Sequence, residues 1–333
     1  MRAGPGSVTI YHVAERAGVS ISTVSLVVNA PHRVKPATRE RVVAAATELG
    51  YRMTAGRRVG AIRVAVAAPF TAYPSYLRRL AGMLARARTA AVDVIPYDLA
   101  SAASAPSPLL DALPVRTDVT GLVLMGVPLG GAARRASRAA RIPVVHVDVV
   151  PREHASLDGP VVLVDDREGG AQIGAHLAAR GHRRFCFVHD VQRSPAYVSA
   201  GMLRAQGLGE HGEVIGFPVT TADDVAAAVR RAAAQGCTAI VAGHDRLAAA
   251  VLAVTRSDPA LHALAVVGYD DGDLAQALDL TTVRQPLEET GRTGLELLLG
   301  IVSSGRQSAE MVRLRPELIV RGSSSAPIMG KSM

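Results

Sequence analysis

Residues 8–51, VTIYHVAERAGVSISTVSLVVNAPHRVKPATRERVVAAATELGY, constrain this chain more than any other stretch. Their spacing predicts three short helices with a tight turn after the first. Residues 10–17 form the first helix, with Val13 and Ala17 one turn apart. Gly18 supplies the turn, Val19 plugs beneath it, and Ser20 stands where it can cap a second helix over 21–29. A third helix is expected over 36–49, opening on Pro36 at a first-turn position and ending at Gly50. Two helices joined this way have helix-turn-helix spacing.

The second helix has two faces. Val24, Val27 and Val28 fall on one side, suited to pack on Val13, Ala17, Val42, Ala46 and Leu49. Ile21, Ser22, Ser25, Leu26 and Asn29 share the other side. That side is small, polar and partly apolar, and it carries no acid. In a major groove, hydroxyls reach base edges or phosphates and branched apolar groups touch thymine methyls. Charge agrees with this: residues 1–60 hold nine Lys or Arg against three Glu, six of the eight net positive charges of the chain. Phosphate neutralisation needs such a concentration.

The stretch resembles the DNA-binding headpiece of the lactose-repressor (LacI/GalR) family of bacterial transcription regulators. The resemblance rests on Val8-Thr9-Ile10-Tyr11, Ala17-Gly18-Val19-Ser20, Thr23-Val24-Ser25, Val27-Val28-Asn29, Thr38-Arg39-Glu40-Arg41-Val42 and Glu48-Leu49-Gly50-Tyr51. Ile21, Ser22 and Leu26 sit on the outward face of the second helix and are expected to contact bases. The resemblance implies that Tyr11, Ser20, Thr23, Ser25, Asn29, Arg33, Thr38 and Arg39 hold the DNA backbone. The family continues with Tyr-x-Pro-Asn and a hinge helix carrying a wedge Leu. Here Tyr51 is followed by RMTAGRRVGA, a shorter linker (52–61) with Gly56 and Gly60, which disfavour a helix. Arg57 and Arg58 are its candidates for DNA contact.

A chain of 333 residues, 49% hydrophobic, suits two or three domains. Beyond residue 60, short β-branched runs alternate with Ala/Leu/Arg-rich helical stretches. Strands are predicted at 62–68, 92–97, 121–127, 143–148, 160–165, 184–189, 214–219, 238–242 and 263–269. Helices are predicted at 76–91, 169–180, 222–235, 245–255 and 288–303. Continuous apolar strands separated by helices imply parallel, doubly wound sheets covered on both faces. The fold class expected is therefore α/β: a three-helix headpiece, then a core of two such sheets.

Matches such as Val119-Thr120-Gly121-Leu122, Gly181-His182-Arg183-Arg184 and Val267-Gly268-Tyr269-Asp270-Asp271 extend the resemblance to the family's two-lobed periplasmic-binding-protein-like core. That fold implies three crossings between lobes, placed near 158–161, 284–287 and 316–322. The domains expected are a headpiece at 1–51, the linker at 52–61, a core at 62–322 and a disordered tail at 323–333. The N-lobe is assigned to 62–158 and 287–316, the C-lobe to 161–284 and 317–322.

Open α/β sheets bind ligands beyond the carboxyl ends of their strands, where this chain places polar residues. Phe70, Tyr73, Asp148, Arg193, Tyr197, His244, Asp270 and Gln285 are candidates for an effector cleft, with acids suited to sugar hydroxyls. Asp245 and Asp271 read instead as helix caps. The family's ligand-clamping Arg is replaced by Tyr197 and Val198, leaving Arg193 nearest, and its usual Asn is His244.

No apolar run is long enough to span a bilayer and no secretory h-region is seen, so a cytoplasmic protein without membrane association is expected. Cys186 and Cys237 read as buried, reduced thiols. The loop Gly207–Gly212 satisfies G-x-G-x-x-G but follows a helix, the wrong context for dinucleotide binding. With no cofactor, metal or nucleophile motif, no enzyme activity is expected. The reading is a homodimeric repressor that binds a palindromic double-stranded DNA operator and responds to a small-molecule, sugar-like effector. The alternative is a regulator whose core binds no sugar and is governed by a protein partner or an atypical ligand.

Overall fold

The structure, a computed structural model, describes residues 8–29, 33–49, 62–99, 119–151, 157–191, 197–306 and 309–325. It divides into two units, Met1–Ala61 and Ile62–Met333.

The first unit holds α1 (Ile10–Ala17), α2 (Ile21–Asn29) and α3 (Pro36–Glu48). Gly18 ends α1 with φ 62°, a left-handed conformation that favours glycine. Ser20 Oγ accepts the Thr23 backbone N–H at 3.1 Å, the capping bond expected of it and worth about 1 kcal/mol. Val13, Val24 and Val42 are fully buried, and Ala17, Val27 and Ala46 pack around them. Arg16 pairs with Glu48 at 2.6 Å and ties α1 to α3. The linker at 52–61, including Arg57 and Arg58, lies outside the described residues.

The second unit begins with β1 (Arg63–Ala68), α4 (Pro74–Ala90), β2 (Asp93–Asp98), β3 (Gly121–Met125), α5 (Gly131–Ala140), β4 (Val144–Val147), β5 (Val150–Pro151) and β6 (Val161–Val164). It continues with α6 (Asp166–Ala179), β7 (Arg184–Asp190), β8 (Tyr197–Val198), α7 (Ala200–Gly209), β9 (Glu213–Val219), α8 (Ala222–Ala234), β10 (Ala239–Ala242), α9 (Asp245–Ser257) and β11 (Ala265–Val267). The last elements are α10 (Asp273–Ala277), β12 (Thr282–Arg284), α11 (Leu287–Ser304), β13 (Met311–Leu314) and β14 (Glu317–Ile319).

Two parallel sheets form two lobes. The N-lobe sheet runs β13-β6-β4-β3-β1-β2 and the C-lobe sheet β11-β10-β7-β9. In each, the first strand in the chain lies between the second and the third, so each winding reverses there. Alternation along β1 sends Val64, Val66 and Ala68 into one apolar cluster and Ala65 and Ala67 into another. Both faces are thus covered. The C-lobe does the same, with Cys186 and Val188 on one side and Phe185 and Phe187 on the other.

Glycines set the helix packing in both lobes. A Cβ at Gly82 or Gly291 would overlap the carbonyl of Glu288 or Arg79, so α4 and α11 cross backbone to backbone. Gly170 and Gly207 do the same for α6 and α7, against Arg204 and Arg167.

The lobe boundaries differ from the sequence expectation. Val161–Val164 belongs to the N-lobe sheet, between β13 and β4, so the first crossing follows β6 and does not precede it. That strand is wholly buried among parallel neighbours, and its sequence is equally suited to either sheet. The other two crossings pair as an antiparallel ribbon, Thr282–Arg284 with Glu317–Ile319. The tail is ordered further than expected. Ser323 Oγ donates to the Val266 carbonyl at 2.7 Å, and Ser324 is fully buried against Thr281.

Candidate nucleic-acid surface and ligand cleft

In the first unit, α2 keeps its two faces. Val24 and Val27 are buried, while Ile21 and Ser22 are exposed and Thr23, Ser25 and Leu26 half-buried. Tyr11 on α1 is 66% exposed, a large aromatic left to solvent. Ser20 Oγ lies 2.7 Å from Ser22 Oγ and 2.9 Å from Thr23 Oγ1, so three hydroxyls cluster at the start of α2. Arg33 is exposed, and Thr38 and Arg39 are half-buried in the first turn of α3. Helix N-termini present unpaired N–H groups and a positive dipole end, which suit phosphate. The Asn29 side chain lies outside the described residues.

In the second unit, a cavity of about 1570 Å³ opens between the lobes. Its walls are the segments following β1, β4, β7, β10 and β11, at the carboxyl ends of both sheets. Of the residues expected there, Tyr73, Asp148, His244, Asp270 and Gln285 all line it. Phe70 does not. The chain turns back after β1, with the Phe70 N–H on the Ala68 carbonyl, and buries the ring in the N-lobe core. Arg193 and the Tyr197 side chain lie outside the described residues.

A polar chain crosses the cavity floor. Asp148 pairs with Arg79, Arg79 Nη2 donates to Gln285 Oε1 at 3.4 Å, and Gln285 Nε2 donates to Asp270 Oδ1 at 2.6 Å. Two of its acids sit in backbone conformations that favour glycine, Asp148 at φ 56° and Asp270 at φ 124°. Such strain, about 1–3 kcal/mol per residue, persists only where the surroundings enforce it. Burial raises the Asp148 carboxyl above its usual range, and Arg79 offsets part of that rise. Asp270 is raised by the same cause against Arg204. Asp148 Oδ1 and Arg79 Nε are buried and have no hydrogen-bond partner among the described residues.

Arg79 was missed by sequence reasoning, because an Arg within an amphipathic helix reads as a solvated one. Arg204 was missed for the same reason. It is largely but not wholly buried on α7, its side chain 11% exposed, pairs with Asp166 at 2.7 Å and covers the Tyr269 ring 3.6 Å from its centre.

Asp245 and Asp271 are not the caps expected. His244 caps α9, its Nδ1 accepting the Leu247 N–H at 3.1 Å. Asp245 faces inward instead, accepting from Thr282 Oγ1 at 2.6 Å and from the Gly272 N–H at 3.0 Å. Burial, with Asp270 nearby, pushes its carboxyl up to about 7. Asp271 is held by Arg284 at 2.7 Å and Arg321 at 2.6 Å, which outweigh burial and keep it below its usual range.

Residues 9–53 match the family described as bacterial regulatory proteins, lacI family, and residues 175–324 match the periplasmic binding protein-like domain. An HTH-type transcriptional regulator encoded in the aml 5′ region of Streptomyces limosus is 30% identical, over 98% of this chain and 97% of that protein. The lactose operon repressor of Escherichia coli (strain K12) is 28% identical, over 96% of this chain and 91% of that protein. Among solved structures, the complex of the transcriptional regulator CelR with cellobiose aligns with TM-score 0.66 and 26% identity, over 95% of this chain and all of that one, 100%.

Proposed function

The chain belongs to the lacI family of bacterial regulatory proteins and is a DNA-binding transcription regulator; from that premise we propose that it is a cytoplasmic homodimeric repressor released or engaged by a small polyol. The observation that carries the DNA reading is α2, whose capped N-terminus and outer face of Ile21, Ser22 and Leu26 stand clear of the headpiece core. In this proposal α2 lies in the major groove with those three side chains on base edges. Tyr11, Ser20, Thr23, Ser25, Asn29, Arg33, Thr38 and Arg39 hold phosphates. Two headpieces related by a two-fold axis read an inverted repeat. The linker supplies Arg57 and Arg58 for DNA contact and its sequence has no wedge Leu, so the operator is bent little.

The effector proposal rests on the cleft. Carboxylates and an amide accept hydroxyl hydrogens, and Asp148, Asp270 and Gln285 present both kinds of acceptor on one floor. That the related CelR is solved with cellobiose supports a carbohydrate-like ligand. Selection from random duplex DNA with the full chain tests the first part. An inverted repeat with two equal half-sites is expected, and enrichment of no motif would overturn it. Thermal shift with mono- and disaccharides tests the second, where a ligand at 100 times its Kd adds about 2.7 kcal/mol.

A further inference from the structure

On the C-lobe wall, away from the polar floor, Phe187 and His189 lie two residues apart on β7 and share one side of the strand. Their rings are stacked, centroids 5.3 Å apart and planes 21° from parallel, within the range of aromatic stacking. Both border the cavity, but Phe187 is buried in the C-lobe core at 3% exposure, so only the half-buried His189 ring, stacked in front of it, offers a face to a ligand. On the adjacent strand β9 the residue paired with Phe187 is Gly216. A Cβ there would stand 3.6 Å from His189 Nε2. The missing side chain leaves that edge of the flat surface uncovered.

Hydrogen bonding fixes what this wall offers. His189 Nδ1 lies 2.9 Å from the Asp190 carbonyl, which only accepts, so Nδ1 carries the hydrogen and Nε2 of the neutral ring accepts. His244 has the opposite tautomer. Its Nδ1 accepts from Leu247, so its Nε2–H donates to Asp190 Oδ2 at 3.1 Å. Asp190 also accepts from Tyr73, and a carboxylate has lone pairs beyond those two bonds. The flat surface is therefore edged by acceptors.

The strand order β11-β10-β7-β9 separates Asp270, which follows β11, from His189 on β7 by two strand spacings, roughly 10 Å. A single sugar ring does not cover both. The cavity volume of about 1570 Å³ also exceeds the roughly 300–1000 Å³ of an ordinary small-ligand pocket. Accepting the proposal that a polyol occupies the floor, we infer that the effector has two parts: a polyol on Asp148, Asp270 and Gln285, and a planar ring with N–H or O–H donors lying against His189, whose ring Phe187 backs from the core. A nucleoside and an aminoaryl glycoside both have this chemistry.

The test is binding to the full chain, by titration calorimetry, of matched pairs: cytidine and adenosine against ribose, and p-aminophenyl β-glucoside against methyl β-glucoside. At least one ring-bearing member is expected to bind tenfold or more tightly than its plain partner, and which pair does so identifies the source of the ring. Gly216→Val, which fills the space beside His189, is expected to reduce that ratio to near one. His189→Phe keeps the stack and removes the acceptor, so it should lose the preference for p-aminophenyl over phenyl β-glucoside or for a nucleoside. Plain sugars binding as well as their ring-bearing partners, or a ratio unmoved by Gly216→Val, would overturn this inference and leave the polyol reading standing. Binding of none of these compounds, nor of cellobiose, would overturn both.

Discussion

Arg79 and Asp148 form an ion pair inside the cleft wall, with side chains only 3% and 7% exposed. Arg79 comes from α4 and Asp148 follows β4, so the pair locks the N-lobe helix to the end of its sheet. Through Gln285 the same chain of bonds reaches Asp270 in the other lobe. Removing one partner leaves a buried charge without its counterion, which costs about 3–5 kcal/mol. Arg79→Met is expected to lower the urea-unfolding free energy by that amount. Adding Asp148→Asn should recover part of it. A loss below about 1 kcal/mol for the single variant would mean that the pair is solvated in solution.

Stability above pH 5 is expected to depend on Asp245. Its folded-state carboxyl is raised to about 7, against about 3.9 in an unfolded chain. The folded state therefore holds the proton more tightly. The contribution is full below about pH 4 and is lost as pH rises through 7, on the order of 4 kcal/mol in all. Unfolding free energy measured at pH 5 and pH 8 should fall more for the native protein than for Asp245→Asn. Equal pH dependence would show that Asp245 is ionised throughout.

Helix crossing in the N-lobe depends on Gly291, whose missing side chain admits the Arg79 carbonyl. Gly291→Ala forces α4 and α11 apart and is expected to cost about 1–3 kcal/mol, the usual penalty for overpacking. Gly300→Ala on the same helix, where a Cβ meets nothing, serves as the control and should be neutral or slightly stabilising. Thermal denaturation of the two variants decides it.

How far the sequence could be read followed from how local each feature is. The headpiece was legible because its turn needs Gly18, its cap needs Ser20, and its core repeats at helical spacing. The parallel strands were legible as apolar runs. The β12–β14 ribbon and β13 were not, because Met311–Leu314 and Glu317–Ile319 are short and only half-buried. Phe70 was misplaced because a residue just past a strand end faces a cleft or a core according to a turn that the strand pattern does not encode. Arg79 and Arg204 belong to the same class. Their burial is set by acids far away in sequence, Asp148 and Asp166.

Arg39, in the first turn of α3, is expected to contact phosphate and not bases. Arg39→Ala should weaken specific and non-specific DNA by similar factors and flatten the slope of log affinity against log salt by about one. Fluorescence anisotropy on two unrelated duplexes across a salt series reads both quantities. Loss confined to one sequence would make Arg39 a base reader.

The central claim is that the outer face of α2 reads sequence. Ser22 is exposed and Leu26 half-buried on that face, and the headpiece core at Val24 and Val27 does not need either side chain. The most direct measurement is selection from random duplex DNA with the native chain and with Ser22→Ala/Leu26→Ala, compared under one salt condition. The account predicts that both select an inverted repeat with the same spacing, and that the variant's half-site changes or degenerates at the positions under α2. An unchanged half-site in the variant would contradict it.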